Sequence, residues 1–201
     1  MRTVTGELAT QVRRLVINDG VQQNELIATA PDSASQLEFI DGTKLTLGPR
    51  ARVILDRFVF DPKPTKGAFF LSVGEGVFRF VTGTMAHENY AIHTPNGTAG
   101  VRGTAFNMLV LSDRTICQVI DGEVMGESSD HTPKQFRRGD YFTMGRITAA
   151  SSPDDRSVID AQVALMDSFL RSTRFAGLNF DTHPLLGNIV QKQKPASPIF
   201  P

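Results

Sequence analysis

The residue types that most often do chemistry are present in this chain but dispersed. Four histidines, His87, His93, His131 and His183, lie far apart, with no His-Glu-x-x-His spacing and no neighbouring carboxylate pair, so they read as surface or strand residues and not as metal ligands. Asp19, Asp41, Asp56, Asp61 and Asp121 fall mainly at turns, where a short carboxylate bonds local backbone, and none belongs to the closely spaced array of a calcium loop. Neither a Gly-x-Ser-x-Gly elbow nor a Gly-x-x-x-x-Gly-Lys-Ser/Thr loop occurs. No catalytic residue, cofactor site or metal site is therefore nominated. The single cysteine, Cys117, rules out an intrachain disulfide and sits in the apolar run Thr115 to Ile120, where it reads as a small buried hydrophobe.

One stretch looks more closely specified. Between Tyr90 and Phe106, glycines recur at three-residue spacing as Gly97, Gly100 and Gly103. A phosphate-binding loop would need these glycines to open a helix, so that backbone N–H groups converge on the anion, yet Thr104 to Val110 reads as a strand. The structural reading fits better. Pro95 ends a strand over Tyr90 to Thr94, Gly97 and Gly100 permit tight turns, and Gly103 lets two strands approach where a side chain would not fit. Arg102 would then clamp turn carbonyls or a carboxylate. Gly100, Val101, Arg102, Gly103 and Thr104 thus form the expected fold-critical turn, and Gly103→Val is expected to destabilise by overpacking.

The elements that must position this turn are mostly strands. From Leu15 to about Thr148, short runs rich in Val, Ile, Phe, Leu and Thr alternate with Gly, Asp, Asn and Pro, which predicts an all-β body. Three hairpins are expected: Gln36 to Ile40 with Thr43 to Leu47 across a type I′ turn at Asp41-Gly42, Thr115 to Ile120 with Glu123 to Met125 across Asp121-Gly122, and Phe69 to Val73 with Val77 to Val81 across Gly74-Glu75-Gly76. In the first, Leu37, Phe39, Leu45 and Leu47 should share one face. At Ser152 the period changes. A capping Ser152, Pro153 in the first turn, Asp154 and Asp155 at the positive dipole end, and Ile159, Val163, Met166 and Leu170 at helical spacing predict a helix over about 153–171. Its apolar stripe needs a cover, from the β body or a partner, because a lone helix of that length is marginal in water. The expected organisation is a β body over 1–150, the helical segment over 151–176 and a loosely held tail over 177–201, where Pro195, Pro198 and Pro201 resist regular structure.

Composition narrows the function classes. The 201 residues can bury a core without disulfides or metals, and 21 basic residues balance 21 acidic ones, so no field gathers nucleic acid or anionic lipid. No run approaches the roughly 18 apolar residues of a membrane span, and Met1 to Arg14 lacks the order of a signal peptide. A cytoplasmic protein, a removed leader and a start assigned too far downstream all fit that N-terminus.

The stretch ending Gly100-Val101-Arg102-Gly103-Thr104 resembles the signature of the FecR domain. Asn24 to Thr29, Leu37 to Leu47, Val53 to Asp56, Phe58 to Pro62, Gly76 to Gly83 and the segment through Asp121-Gly122 resemble that domain's successive strands in order, so the resemblance covers about 15–126. It implies a layered, mostly antiparallel β domain, sandwich-like or solenoid-like, followed here by the helix and irregular tail. It also implies a periplasmic or extracellular location and a non-enzymatic role: in the founding iron-citrate regulators the domain receives a signal from an outer-membrane receptor and passes it to a sigma factor. This chain shows no match to those regulators' cytoplasmic helical segment, membrane helix or receptor-docking domain, and looks more like stand-alone FecR-domain proteins. The expected function is a sensing or interaction module with a protein partner in the cell envelope, self-association being open, and Ile159, Val163, Met166 and Leu170 are its expected contact residues. The alternative is a small-ligand or glycan receptor with Phe58, Phe60, Tyr90 and Tyr141 along a groove, although with no tryptophan and two tyrosines its stacking inventory is thin.

Overall fold

In strands such as Gly76–Val81 and Gly97–Val110, side chains that face the core alternate with ones that face outward, and this alternation decides which face turns inward. The computed structural model describes residues 3–59, 68–84, 90–146, 148–172 and 191–192. Two strands are far longer than the rest: β10 (Gly97–Val110) and β11 (Thr115–Glu127), antiparallel partners joined through a tight turn in which Leu111 N donates to Arg114 O. At about 3.4 Å per residue each spans more than 40 Å, enough to cross two layers.

The C-terminal half of β10 and the N-terminal half of β11 belong to one sheet. It continues on one side through β8 (Gly76–Val81), β5 (Lys44–Leu47) and β4 (Ser35–Glu38), and on the other through β13 (Tyr141–Met144) and β14 (Ala149–Ala150). The other halves of the long strands belong to a second sheet. It runs through β9 (Tyr90–Thr94), β7 (Ala68–Val73), β6 (Arg52–Val59), β3 (Leu26–Thr29), β1 (Val4–Leu8) and β2 (Gln11–Leu15), with β12 (Lys134–Arg137) on the far side of β11. Pairing is antiparallel except between β7 and β9 and between β4 and the two-residue β15 (Gln191–Lys192). The fold is thus a mostly antiparallel sandwich whose two layers share β10 and β11. The tail expected over 177–201 lies outside the described residues apart from β15.

The core fills the space between the layers. Phe69 of the second sheet packs edge-on to Phe39 and Phe80 of the first at ring separations of 4.7 and 5.5 Å, and lies 5.5 Å from Tyr90. Phe80 meets Phe106 at 5.7 Å. Such aromatic pairs add about 0.5–1.5 kcal/mol each beyond the area they bury. Cys117 lies fully buried among them, as its apolar surroundings in sequence suggest, and burial pushes its thiol up, away from the reactive thiolate.

The three expected hairpins resolve differently. Leu37, Phe39, Leu45 and Leu47 are all buried, but the turn is a three-residue loop: Phe39 N donates to Thr43 O, Gly42 N donates to Phe39 O, and Gly42 takes a φ of +83°. A two-residue turn would have set Leu37 opposite Thr46 and split the apolar face, whereas the longer loop sets Leu37 opposite Leu45. Asp121-Gly122 is no turn at all, because β11 runs through it without reversing. Gly74 to Gly76 is a crossing between layers: β7 pairs with β6 and β9, while β8 pairs with β5 and β10.

The helix α1 (Pro153–Ser172) begins as the sequence predicts, with Ser152 Oγ accepting from Asp155 N at 3.1 Å. It lies across the outer face of the first sheet. Ile159, Met166 and Leu170 are buried against Val77, Leu109 and Ile116, with Val163 half-buried beside them. Gly48 makes room, since a Cβ there would sit 2.3 Å from Val77 Cγ1 and 3.2 Å from Met166. Beside this apolar seam runs a polar row of cross-strand neighbours: Gln36, Thr46, Arg79, Asn107, Gln118 and Tyr141. Gln36 Nε2 donates to Thr46, Arg79 Nε to Asn107, Asn107 Nδ2 to Gln118, and Gln118 Nε2 to Tyr141 Oη. The helix closes the row with two carboxylates. Asp167 takes both Arg79 guanidinium nitrogens at 2.9 and 3.1 Å, and Asp160 accepts from Tyr141 Oη at 3.0 Å.

Arg79 is nearly buried, so removing its carboxylate leaves a desolvated cation. Asp167→Ala should lower stability by about 3 kcal/mol, whereas Arg79→Met with Asp167→Leu should restore most of it. Chemical denaturation of the single and double variants measures both, and equal losses in the two would show that the ion pair does not anchor the helix.

Candidate functional site

The segment singled out in sequence lies where the long strands bend. Pairing of β10 with β11 is regular up to Arg102 opposite Glu123, shifts between Arg102 and Ala105, and becomes regular again from Phe106 opposite Val119. Two glycines sit in the shift with left-handed backbone, Gly103 at φ +60° and Gly122 at φ +73°. At Gly122 a Cβ would stand 2.1 Å from Gly103 O, too close for any side chain. Gly103 is required for its left-handed backbone angle, and its carbonyl closes the space at Gly122. Thr104 locks the bend: its Oγ1 donates to Glu123 O at 2.7 Å and its N donates to Thr82 Oγ1 at 2.9 Å, while Thr82 N donates back to Thr104 O.

The bend is tied to the first sheet by a buried carboxylate. Asp41 accepts from Tyr90 Oη at 2.7 Å, from Thr43 Oγ1 at 2.6 Å and from Thr43 N at 3.0 Å. Thr43 Oγ1 in turn accepts from Gly83 N. The turn role expected for Asp41 is present, and Tyr90 adds a link between the layers. Burial, and next the hydrogen bond to Asp160, raises the Tyr141 phenol above its ordinary range. Hydrogen bonds to Asp155 and Asp113 raise the Arg114 guanidinium.

The other nominated residues are placed as follows. Gly100 lies inside β10 with ordinary backbone, not in a turn. Gly97 closes the two-residue Pro95-Asn96 connection from β9, and a Cβ on it would stand 2.3 Å from Glu127 O. Val101 is buried. Arg102 is exposed and makes no hydrogen bond or ion pair with the described residues, so it is not the clamp expected of it; Glu123 opposite pairs instead with Arg137 at 3.2 Å and accepts from Gln135. Ile159, Val163, Met166 and Leu170 face the protein's own sheet, which takes them out of a partner's reach. Of the four aromatics considered for a ligand groove, Tyr90 is a core residue, Tyr141 is held beneath the helix, and Phe60 and the Phe58 side chain lie outside the described residues. His93 bonds Thr98 and His131 pairs with Glu127, while His87 and His183 lie outside the described residues.

Beside Arg102 is an open cavity of about 250 Å³ lined by Gly100, Arg102, Glu123, Met125 and Gln135 among others. It belongs to a transverse row on the outer face of the second sheet, where Phe70, Ala91, Gly100, Met125 and Gln135 are successive cross-strand neighbours. Met125 is 43% exposed, and Phe70 is half-buried with its ring stacked 6.4 Å from His93. Sequence reasoning missed this row and the buried Arg79 row alike. The available cue for Arg79 was a lone arginine inside the apolar run Val77-Phe78-Arg79-Phe80-Val81, with Asp160 and Asp167 seven residues apart on the helix.

A family model described as FecR protein matches residues 25–125, which contain the bend and the buried carboxylate. No curated protein matches the chain. Two crystal structures of a provisionally assigned anti-sigma factor from Parabacteroides distasonis ATCC 8503 share the fold, each with a TM-score of 0.50, at 14% and 15% identity. Each match covers 66% of this chain and 62% of the other, so the likeness spans less than two thirds of those proteins.

The geometry ranks the glycines. Gly122→Ala should cost about 3 kcal/mol from contact with Gly103 O and left-handed strain, Gly103→Ala at least about 1–2 kcal/mol from left-handed strain, and Gly100→Ala no more than about 0.5 kcal/mol. Thermal or denaturant unfolding gives the order, and a Gly100 variant as damaging as Gly122→Ala would contradict this account of the bend.

Proposed function

The chain belongs to the FecR protein family, and on that premise we propose that it is a non-catalytic regulatory module of the cell envelope that acts by binding a protein partner. The observation that carries the reading is the family match over the segment that builds the bend and the shared core. The anti-sigma assignment of proteins with the same fold supports a role in signal transduction. Balanced charge argues against nucleic acid as the partner. No helix of the described residues is long and apolar enough to cross a membrane, so the proposed extracytoplasmic setting rests on the family alone.

The helical segment works as part of the β body and not as a detachable docking arm, because α1 covers Val77, Leu109 and Ile116 and neutralises Arg79. The domain we propose is therefore 1–150 together with the helix of 151–176, and of the segment 177–201 the two residues Gln191–Lys192 add a short parallel strand to β4. Self-association is not part of this reading.

Cell fractionation should place the protein in the periplasmic or envelope fraction. Tagged full-length protein should capture one stoichiometric protein from envelope extract, and excess untagged protein should displace it. An unrelated tagged β domain is the control. A purely cytoplasmic location, or no displaceable partner, would overturn the proposal.

A further inference from the structure

The outer faces of the two sheets carry the same kind of pattern, and among the described residues only one of them is covered. On the first sheet, α1 runs across the strands, seats its apolar stripe on Val77, Leu109 and Ile116, and places an aspartate on an arginine in the neighbouring row. On the second sheet, the row Phe70, Ala91, Gly100 and Met125 is apolar, with its two smallest residues in the middle. The neighbouring row, two residues along each strand, places Arg102, Glu123 and Arg137 side by side. Glu123 is occupied by Arg137 and Gln135, and neither it nor Asp121 bonds Arg102. Arg102 is thus a cation without a counter-charge among the described residues, beside a cavity that Gly100, Met125 and Gln135 help to line. From Phe70 to Gln135 the row crosses five strands, about 19 Å, the length of about 13 helical residues.

We propose that this face is the partner-docking surface, and that its occupant is an acidic amphipathic helix of the partner protein. The helix would seat an apolar side chain over Gly100, between Phe70 and Met125, and present an Asp or Glu to Arg102. Charge complementarity selects the acid, and the trough over Ala91 and Gly100 selects a close-seated apolar side chain. This deepens the protein-partner reading and rests on it.

The test uses the full chain and a library of randomised amphipathic helices displayed on a stable three-helix scaffold, with a library of unstructured peptides in parallel. Helices selected on the wild type should carry an Asp or Glu flanking an apolar stripe. They should lose about tenfold or more in affinity towards Arg102→Glu and towards Gly100→Leu. Both variants should melt like the wild type, because Arg102 is exposed and a Cβ at Gly100 comes no closer than 3.6 Å to Met125. Replacing the acid of a selected helix by Lys should restore binding to Arg102→Glu, a readout that a folding defect would not produce.

Helices indifferent to both substitutions, helices without an acid, enrichment from the unstructured library alone, or self-association of the wild type lost in Arg102→Glu would each overturn the proposed occupant. An envelope partner captured equally by the wild type and both variants would overturn the surface and leave the functional reading standing. Arg102-dependent helices with no partner in the extract would do the reverse.

Discussion

The fold depends on one backbone constraint, the paired left-handed glycines where β10 and β11 bend together. Two strands of this length can serve both layers only if they change direction while staying paired, and a double shift between Arg102 and Phe106, with Gly103 and Gly122 in its first step, does this. Below the bend the pair completes the sheet that α1 covers, and above it the pair completes the sheet that carries β12. The Phe69 cluster and the Asp41–Tyr90 bond then hold the layers at the spacing the bend dictates. Removing either contact would loosen the sandwich, whereas removing the bend would leave no shared strands to hold it.

The same alternation that builds the core also shapes both outer faces. On β8, β10 and β11 the residues between the core positions are Arg79, Asn107 and Gln118, which hydrogen-bond side by side across the sheet. Apart from Gln36 Oε1, which has no hydrogen-bond partner among the described residues, the row bonds along its own strands, so the helix above it supplies two carboxylates and a narrow apolar seam. That makes α1 a fitted cover and explains why its stripe is narrow. On the second sheet the corresponding positions are small or mixed, which leaves a shallow trough beside Arg102, an arginine without a counter-charge among the described residues. Among the described residues, the asymmetry between a covered and an open face is the main functional information in the structure, beside the buried carboxylates of Asp41, which accepts from Tyr90 and Thr43, and Glu25, which accepts from Arg13 and Gln22.

The family resemblance, the all-β class and the helix with its Ser152 cap were legible in the sequence because each rests on local pattern. Strand alternation, a change of period at Ser152 and the glycine spacing before Thr104 act within a few residues. The turn assignments failed for a related reason. Asp-Gly and Gly-x-Gly are equally compatible with a hairpin, a bulge and a layer crossing, and the choice among them depends on which strands lie opposite. At Gly122 the partner is Gly103, nineteen residues away, and at Gly74 to Gly76 the two flanking strands go to different sheets.

The sequence by itself therefore determined the class, the helix, the burial of Cys117 and which faces of the strands are apolar, since these follow from residue type and period. Tertiary structure alone decided that Arg79 meets Asp167, that Tyr90 reaches Asp41, that the helical stripe is consumed by its own sheet, and that Arg102 is left over. Those outcomes are set by strand order and register between residues far apart in the chain. The physical reason is that a side chain's type states what partner it needs, while only the assembled sheets determine which partner lies within a few ångströms.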